Sequence, residues 1–388
     1  MSAFINTPSA GAGERASRRN HIQSLDGIRG IAVIAVFFFH VRECFSGIPL
    51  IEAVVARGWF GVEVFFTLSG FLITRLLLQE RESTGSVEIK DFYARRALRL
   101  VPAYLLVIAV TSAALLLAGT PTQVTEGLAN LKYLLTYTTN FAVVFGVAFP
   151  LTLHFWSLAI EEQYYLLFPW LLRRQSVPRL AAVLAVSILS IASVRAIGFS
   201  WWPFYWPSGP TLNSLVYYFT PLRIDSILAG ALAATVVSMP GAVAAVRRYA
   251  IKGWRTAVLI GALLMVVLRF GDLGSSELYV VWLPVMYTIV ALLIIGVAGA
   301  GHGRLSVLES VVLVWIGRIS YGFYLVHVLV IAAVTRIVES MPTSVGVRAA
   351  VVVVGAFVLT LFVSQAMYTI VEKPFLSLKK RFSHAGVA

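Results

Sequence analysis

The sequence predicts an all-α polytopic membrane protein with about ten transmembrane helices and both termini in the cytoplasm. Of its 388 residues, 59% are hydrophobic and only 13% are charged, whereas a soluble domain carries about 25% charged residues. Lys and Arg outnumber Asp and Glu by 31 to 18, as expected if basic residues anchor the spans on the cytoplasmic side. A soluble protein is therefore excluded, and the length leaves no room for a second soluble domain.

Ten apolar stretches, each of a length that can cross a bilayer, follow one another along the chain. They are 28–48, 58–79, 100–119, 153–172, 180–199, 214–237, 256–270, 279–299, 310–335 and 347–371. A further stretch, 128–149, is polar in its middle, so we expect an outer-surface or re-entrant segment there. The first stretch lacks a small-x-small cleavage site and contains Arg29 and His40, which predicts a retained span rather than a signal peptide.

The distribution of Lys and Arg predicts the orientation of these spans. With ten spans, the inner segments hold 20 Lys and Arg residues and the outer segments hold 5, in agreement with the positive-inside rule. The single cysteine, Cys44, excludes an intramolecular disulfide and a zinc site built on cysteines.

Seven ionisable side chains on five predicted spans fall at a similar depth: His40, Glu63, Glu161, Glu162, Arg223, Asp225 and His327. Each charge near the bilayer centre costs at least about 2.5–3.5 kcal/mol, so this layer is a candidate functional site. A histidine with a carboxylate in reach is a general-base pair, and Glu63 is the candidate partner of His40. The alternative is a set of structural ion pairs and snorkelling side chains, which is favoured for Arg195 and Arg269 near span ends. His154 beside Trp156 is expected to be an interface residue.

Arginines form a second constellation at the inner side. Arg96 and Arg99 are three residues apart on one helical face, and Arg29 ends at the same level. Their guanidinium forks suit phosphate groups, while an anchor to lipid headgroups is the alternative. Arg29 and His40 lie eleven residues apart on one face of the first span, about 16 Å along its axis. No HExxH, GxSxG or Walker-type motif occurs, so metal chemistry and a covalent serine lack support.

The chain resembles acyltransferase family 3, a family of integral membrane O-acyltransferases. The matching segments occur in order: Leu25-Asp26-Gly27-Ile28-Arg29-Gly30 with His40, Gly61 to Thr74, Phe92-Tyr93 to Pro102, Phe155 to Tyr165, Arg223-Ile224-Asp225, Ile316 to His327, and Val371-Glu372-Lys373-Pro374. The resemblance implies a membrane domain over 25–376, flanked by basic cytoplasmic tails at 1–24 and 377–388. It implies transfer of an acyl group, usually acetyl from acetyl-CoA, to a hydroxyl of a carbohydrate, glycolipid or macrolide-type acceptor.

The resemblance also implies roles for single residues. His40 matches the essential histidine of the family, and Arg29, Arg96 and Arg99 match its essential arginines. Glu161 and Tyr165 fall in a further required motif. Glu63 stands where many relatives have Asp, which puts its pairing with His40 in doubt.

The expected partners follow from the same resemblance. Acyl-CoA is a co-substrate rather than a permanently bound cofactor, no metal or nucleic acid is expected, and no esterase-like soluble domain is appended. The spans are rich in Ala, Val and Gly, which indicates a GC-rich bacterial source and hence a multi-pass protein of the bacterial cytoplasmic membrane.

Several questions stay open from the sequence. His40 is either a general base or a transient acyl carrier. A proton-coupled transporter would use the same charged layer, although neither an inverted repeat nor a matching pair of broken spans is visible. An acyl-loading subunit that passes the group to a separate outer transferase is the third possibility. The acceptor is undetermined.

Overall fold

The computed structural model describes residues 22–205, 211–239, 241–242, 253–270, 272–273, 275–300 and 307–382. All regular secondary structure in these residues is helical, so the all-α prediction is confirmed. Most of the predicted N-terminal tail and half of the predicted C-terminal tail lie outside the described residues, as do four predicted inner basic residues between the spans, Arg247, Arg248, Lys252 and Arg304.

The described part of the chain starts with a helical hairpin that has a short helix at its turn. Helices α1 (Gln23–His40), α2 (Pro49–Val55) and α3 (Phe60–Thr84) follow one another, and α4 (Ile89–Ala118) returns in the opposite direction. α3 ends because Gly85 adopts a φ of 79°, a left-handed conformation that costs glycine little since it has no Cβ.

The ambiguous stretch around 128–149 forms only short helices: α5 (Pro121–Ala129), α6 (Leu131–Leu135) and α7 (Thr139–Val144). The Tyr104 hydroxyl, halfway along α4, donates a hydrogen bond to the Leu134 carbonyl oxygen at 3.0 Å. The Gln163 amide similarly donates to the Tyr137 carbonyl oxygen at 2.8 Å. These contacts lie along the length of the neighbouring helices rather than at their ends, and they favour the re-entrant interpretation.

The rest of the chain continues as helices of unequal length. They are α8 (Trp156–Arg173), α9 (Val177–Tyr205), α10 (Leu212–Tyr218), α11 (Thr220–Arg223), α12 (Asp225–Val237), α13 (Gly253–Phe270), α14 (Leu283–Ala300), α15 (Val311–Arg318), α16 (Ser320–Glu339), α17 (Val345–Met367) and α18 (Lys373–Leu378). Short π-helical turns, Leu278–Trp282 and Tyr368–Glu372, precede α14 and α18.

Six helical segments of the described chain are long and apolar enough to cross a membrane. They are Pro49–Thr84, Ile89–Ala118, Val177–Ser200, Leu278–Gly299, Ser320–Glu339 and Val345–Leu378. Two shorter apolar helices, Asp225–Val237 and Val258–Phe270, accompany them. The multi-pass architecture is thus supported, while the count of ten spans and the cytoplasmic location of the termini stay predictions.

Glycines bring α3 into backbone contact with its neighbours. A Cβ atom on Gly70 would lie 1.9 Å from the Ile227 carbonyl oxygen of α12, and one on Gly230 would lie 1.9 Å from the Thr67 carbonyl oxygen. A Cβ on Gly61 would lie 2.3 Å from the Ala32 carbonyl oxygen of α1. α3 runs unbroken through Gly61 and Gly70, so these glycines serve close helix packing rather than a break.

Gly70→Val is expected to destabilise the bundle by about 3 kcal/mol. The added side chain would meet backbone atoms that cannot move aside, so the free-energy penalty of overpacking should lie at the upper end of its usual range. Thermal unfolding of the detergent-solubilised protein measures the effect. Gly261→Val is the matched control, since a Cβ on Gly261 in α13 meets no atom within 4 Å. Equal melting temperatures for the two variants would contradict the packing argument.

Candidate active site

A cavity of about 430 Å³ lies inside the bundle, within the range of about 300–1,000 Å³ typical of small-molecule sites. Its walls come from α1, α3, α4, α8, α15 and α16 and from the C-terminal segment 368–379. Six basic residues contribute to the lining, and four of them lie near one another at what we call the basic end: Arg29, Arg96, Arg99 and Lys379. Ser157 and Tyr324 line the opposite end, which we call the inner end.

The structure brings the three predicted arginines together at the basic end. Arg29 reaches the cavity from α1, and Arg96 and Arg99 reach it from the first turns of α4. In the described part of the chain none of the three forms a salt bridge with a carboxylate. Their donors therefore remain available to an anionic ligand.

Glu161 and Tyr165 line the cavity wall from α8, one turn apart. The Ser69 hydroxyl on α3 donates a hydrogen bond to Glu161 Oε1 at 2.8 Å. The Arg96 guanidinium carbon lies 5.3 Å from the centre of the Tyr165 ring, a cation–π contact that orients Arg96. Both predicted residues thus belong to the cavity.

Beyond the inner end, three histidines pack against one another: His40, His154 and His327, which we call the histidine cluster. The ring centres of His40 and His327 are 4.7 Å apart, and those of His154 and His327 are 4.8 Å apart. His154 is only 4% exposed and His327 is fully buried. Among the described residues, no group of three or more His, Cys, Asp or Glu side chains is arranged to hold a metal ion.

The hydrogen bonds of His40 determine its tautomer. Its Nδ1 lies 2.9 Å from the Val36 carbonyl oxygen, and a carbonyl oxygen only accepts, so Nδ1 carries the proton. Nε2 is then unprotonated in the neutral ring. His40 therefore presents a free lone pair, as a general base or a nucleophile requires.

Tyr324 separates the cavity from the histidine cluster. Its hydroxyl lies 2.6 Å from the Ser157 hydroxyl and donates to the His154 carbonyl oxygen at 2.9 Å. The centre of its ring lies 5.6 Å from that of His327. The inner end of the cavity is therefore one aromatic side chain away from the histidines.

The predicted general-base pair of His40 and Glu63 is not formed. Glu63 is buried and ion-paired through Oε1 to Arg223 Nη2. Its Oε2 accepts from Arg223 Nη1 at 3.1 Å and from Ser226 at 2.5 Å. Glu63 faces α11 and α12, where Arg223 supplies a buried cation. Leaving either charge unpaired inside the bundle would cost far more free energy than forming the ion pair.

The charged layer predicted from the sequence divides into three parts in the structure. His40 and His327 belong to the histidine cluster, Glu63, Arg223 and Asp225 form buried ion pairs, the last of them with Arg195, and Glu161 lines the cavity while its neighbour Glu162 does not. Arg195 is therefore a member of a structural ion pair, as the alternative interpretation of the charged layer expected. The expectation that His154 is an interface residue is wrong, because the turn Leu153–Phe155 directs its ring against His327.

A family model described as an acyltransferase domain, that of acyltransferase family 3, matches residues 22–369. The chain belongs to acyltransferase family 3. The match covers every residue of the cavity and the histidine cluster except Glu372, Leu376 and Lys379.

Similar family members are bacterial. A provisionally assigned O-acetyltransferase of Staphylococcus aureus is 29% identical over 343 residues, which is 82% of this chain and 52% of that protein. The peptidoglycan O-acetyltransferase OatA of Listeria monocytogenes is 28% identical over 377 residues, 92% of this chain and 56% of that protein. The chain thus spans about half the length of these relatives. No solved structure matches it significantly.

Some residues of this acyltransferase-family site were not among the predicted site residues. Tyr324 precedes His327 by three residues on α16, a spacing that places both side chains on one helix face and was visible in the sequence. His154 and Lys379 carried no such signal, because their positions depend on the turn before α8 and on the folding of the C-terminal segment back onto α4. Lys379 lies just beyond the last candidate span.

The C-terminal segment is held in place by Arg95. Its Nη1 donates to the Phe382 carbonyl oxygen at 2.7 Å, and its Nη2 pairs with Glu80 at 2.5 Å. Burial and the nearby guanidinium groups of Arg99, Arg96 and Arg95 lower the pKa of Lys379 to about 8. The basic end therefore contains one cation that titrates near neutral pH.

Proposed function

We propose that this chain is a membrane-bound O-acyltransferase that moves an acyl group, acetyl in this proposal, from cytoplasmic acyl-CoA to a hydroxyl of a carbohydrate, glycolipid or macrolide-type acceptor. Membership of the family supports acyl transfer. Relatives named for peptidoglycan O-acetylation favour a glycan hydroxyl among these acceptors. In this proposal the chain lies in the bacterial cytoplasmic membrane, with ten spans and both termini inside.

The observation that carries the proposal is the cavity between the basic end and the histidine cluster. Arg29 and His40 lie on one helix, eleven residues and about 16 Å apart. A donor with phosphates at one end and a thioester at the other fits such a site if the phosphates lie at the basic end and the extended pantetheine arm enters the cavity. Tyr324 then lies where the thioester arrives.

The donor phosphates would be bound by Arg96 and Arg99, with Arg29 and Lys379 assisting. Arginine forks bind phosphate oxygens in pairs, and partial removal from water strengthens these hydrogen bonds. The phosphates would stay at the basic end while the neutral arm extends towards the inner end, so no phosphate charge has to enter the deeper part of the cavity.

The reaction requires one proton to be moved. Nε2 of His40 takes the proton of the acceptor hydroxyl while the hydroxyl oxygen attacks the thioester carbonyl carbon. The tetrahedral intermediate expels the CoA thiolate as the carbon–sulfur bond breaks, and the thiolate takes the proton from Nε2. Alternatively, Nε2 attacks first and carries the acyl group to the acceptor.

Release of free CoA thiol tests the proposal. Membranes that contain the protein, supplied with acetyl-CoA and an envelope glycan extract, are expected to release thiol and to form acetyl esters on the glycan. Membranes without the protein are the control. Movement of the acceptor across the membrane without thiol release would instead support a transporter. If the membranes neither released thiol nor formed acetyl esters, acyl transfer would be refuted.

Lys379 gives the donor site a pH dependence. As pH rises through about 8, Lys379 loses its proton, so we expect the KM for acetyl-CoA to rise by up to about tenfold between pH 7 and pH 9, in line with the loss of one buried charge-assisted contact. In Lys379→Gln the KM is expected to be raised at pH 7 and to change less with pH. Lys90→Gln is the matched control, because Lys90 is an exposed lysine in the first turn of α4. Its KM for acetyl-CoA should change with pH as that of the unsubstituted protein does.

A further inference from the structure

The contact between His40 and His327 assigns a role to a histidine outside the predicted site residues. We propose that His327 is a positioning residue that accepts a hydrogen bond from Nδ1–H of His40 and keeps Nε2 of His40 unprotonated for acyl transfer. This inference rests on the proposed function. It places a neutral imidazole in the orienting position that a carboxylate occupies in familiar His–carboxylate pairs.

The tautomer of His327 follows from its own backbone contact. Nδ1 of His327 lies 2.7 Å from the Tyr324 carbonyl oxygen, so Nδ1 carries the proton and Nε2 holds a lone pair. That Nε2 lies 3.3 Å from Nδ1 of His40. The Nδ1–H of His40 is thus shared between the Val36 carbonyl oxygen and His327, and both rings are anchored to backbone oxygens within their own helices.

Among the described residues no side chain other than His327 is placed to orient His40, and the Val36 carbonyl oxygen is the second acceptor of its Nδ1–H. In the described part of the chain, no Asp or Glu oxygen lies within 4.0 Å of a nitrogen of His40, His154 or His327. The remaining polar and charged neighbours are the Tyr324 hydroxyl on α16 and Arg42 two residues after His40. Arg42 pairs with Glu43 and donates to the Phe39 carbonyl oxygen.

His154 does not share this role. Its ring is near both other rings, but neither of its nitrogens forms a hydrogen bond within the described residues. It packs against His327 with ring centres 4.8 Å apart, and its ring centre lies 6.1 Å from that of His40. The orienting contact therefore belongs to His327 alone.

An imidazole partner differs from a carboxylate in one chemical respect. When Nε2 of His40 takes the hydroxyl proton, the resulting positive charge is shared with His327 through the Nδ1–H···Nε2 hydrogen bond. The charge disappears when the CoA thiolate takes the proton from Nε2. No net proton enters or leaves the pair during a turnover.

Two substitutions at His327 separate positioning from packing. His327→Leu removes the acceptor, whereas the Oε1 of Gln in His327→Gln can still accept from Nδ1–H of His40 but cannot share its charge. The full chain in detergent or nanodiscs is assayed for thiol release from acetyl-CoA with an acceptor glycan, and kcat and KM are measured from about pH 5.5 to about pH 9, a range that brackets histidine titration. Val328→Ala, at the next position of α16, is the control substitution.

We expect His327→Leu to lower kcat by about 10- to 100-fold, a part of the 10²–10⁴ that general-base catalysis contributes, with the KM for acetyl-CoA nearly unchanged. His327→Gln is expected to recover most of this loss, while the acid limb of its kcat profile moves to lower pH because the charge on His40 is no longer shared. Melting temperatures report any loss of folding.

The outcomes are distinct. Equal loss of activity in both His327 variants, in proportion to lost melting temperature and with an unchanged pH profile, would assign His327 a packing role and overturn the inference. Unchanged kcat in both would do the same. Absence of thiol release from the unsubstituted protein would instead refute the proposed function.

Discussion

His40→Ala is expected to lower the rate of acyl transfer by about 100- to 10,000-fold, the range that general-base catalysis contributes. The substitution removes the lone pair of Nε2, which the Val36 contact leaves unprotonated. Neither His154 nor His327 can replace it, because both side chains are buried whereas that of His40 is only partly buried. The KM for acetyl-CoA should change little, since the basic end is about 16 Å away along α1.

Thiol release and ester formation measure this effect, with His40→Asn as the shape-conserving variant. Asn can donate to a backbone oxygen but offers no basic nitrogen, so it should be as inactive as Ala. Full acyl transfer by either variant, at an unchanged melting temperature, would show that His40 is not the reacting group. Radiolabelled acetyl on the unsubstituted protein in the absence of acceptor would favour the nucleophilic route over the general-base route.

Arg223→Leu is expected to destabilise the protein by about 3–5 kcal/mol, because removing one member of a buried ion pair leaves the other charge unpaired. Glu63 is 1% exposed, and Arg223 and Ser226 are fully buried around it. The double variant Glu63→Leu with Arg223→Leu should recover much of the loss, since neither charge is then stranded.

The yield of folded protein and its melting temperature measure this effect, and activity per folded molecule separates it from catalysis. A Glu63→Gln protein that remains folded should retain acyl transfer, unlike the His40 variants. If Glu63→Gln kept its melting temperature but lost transfer as completely as His40→Ala, the carboxylate would have a catalytic role and the structural assignment would be wrong.

Local spacing determined the features that lie along single helices. Arg29 and His40 share one face of α1, Arg96 and Arg99 share one face of α4, and Glu161 and Tyr165 are one turn apart on α8. The helical period alone places these side chains together. The all-α class followed from composition, because a chain with so few charges cannot cover a soluble surface.

Contacts between distant segments decided the rest. Depth along the predicted spans placed seven ionisable groups in one layer, but depth does not specify which neighbour a side chain faces around the bundle. Glu63 therefore paired with Arg223 across α3 and α11 rather than with His40, and His327 took the place beside His40. Helical spacing along the sequence thus predicted the basic end and the helix faces that carry these residues, whereas the packing of the helices selected their partners, because a buried charge binds whichever opposite charge or hydrogen-bond partner that packing brings within reach.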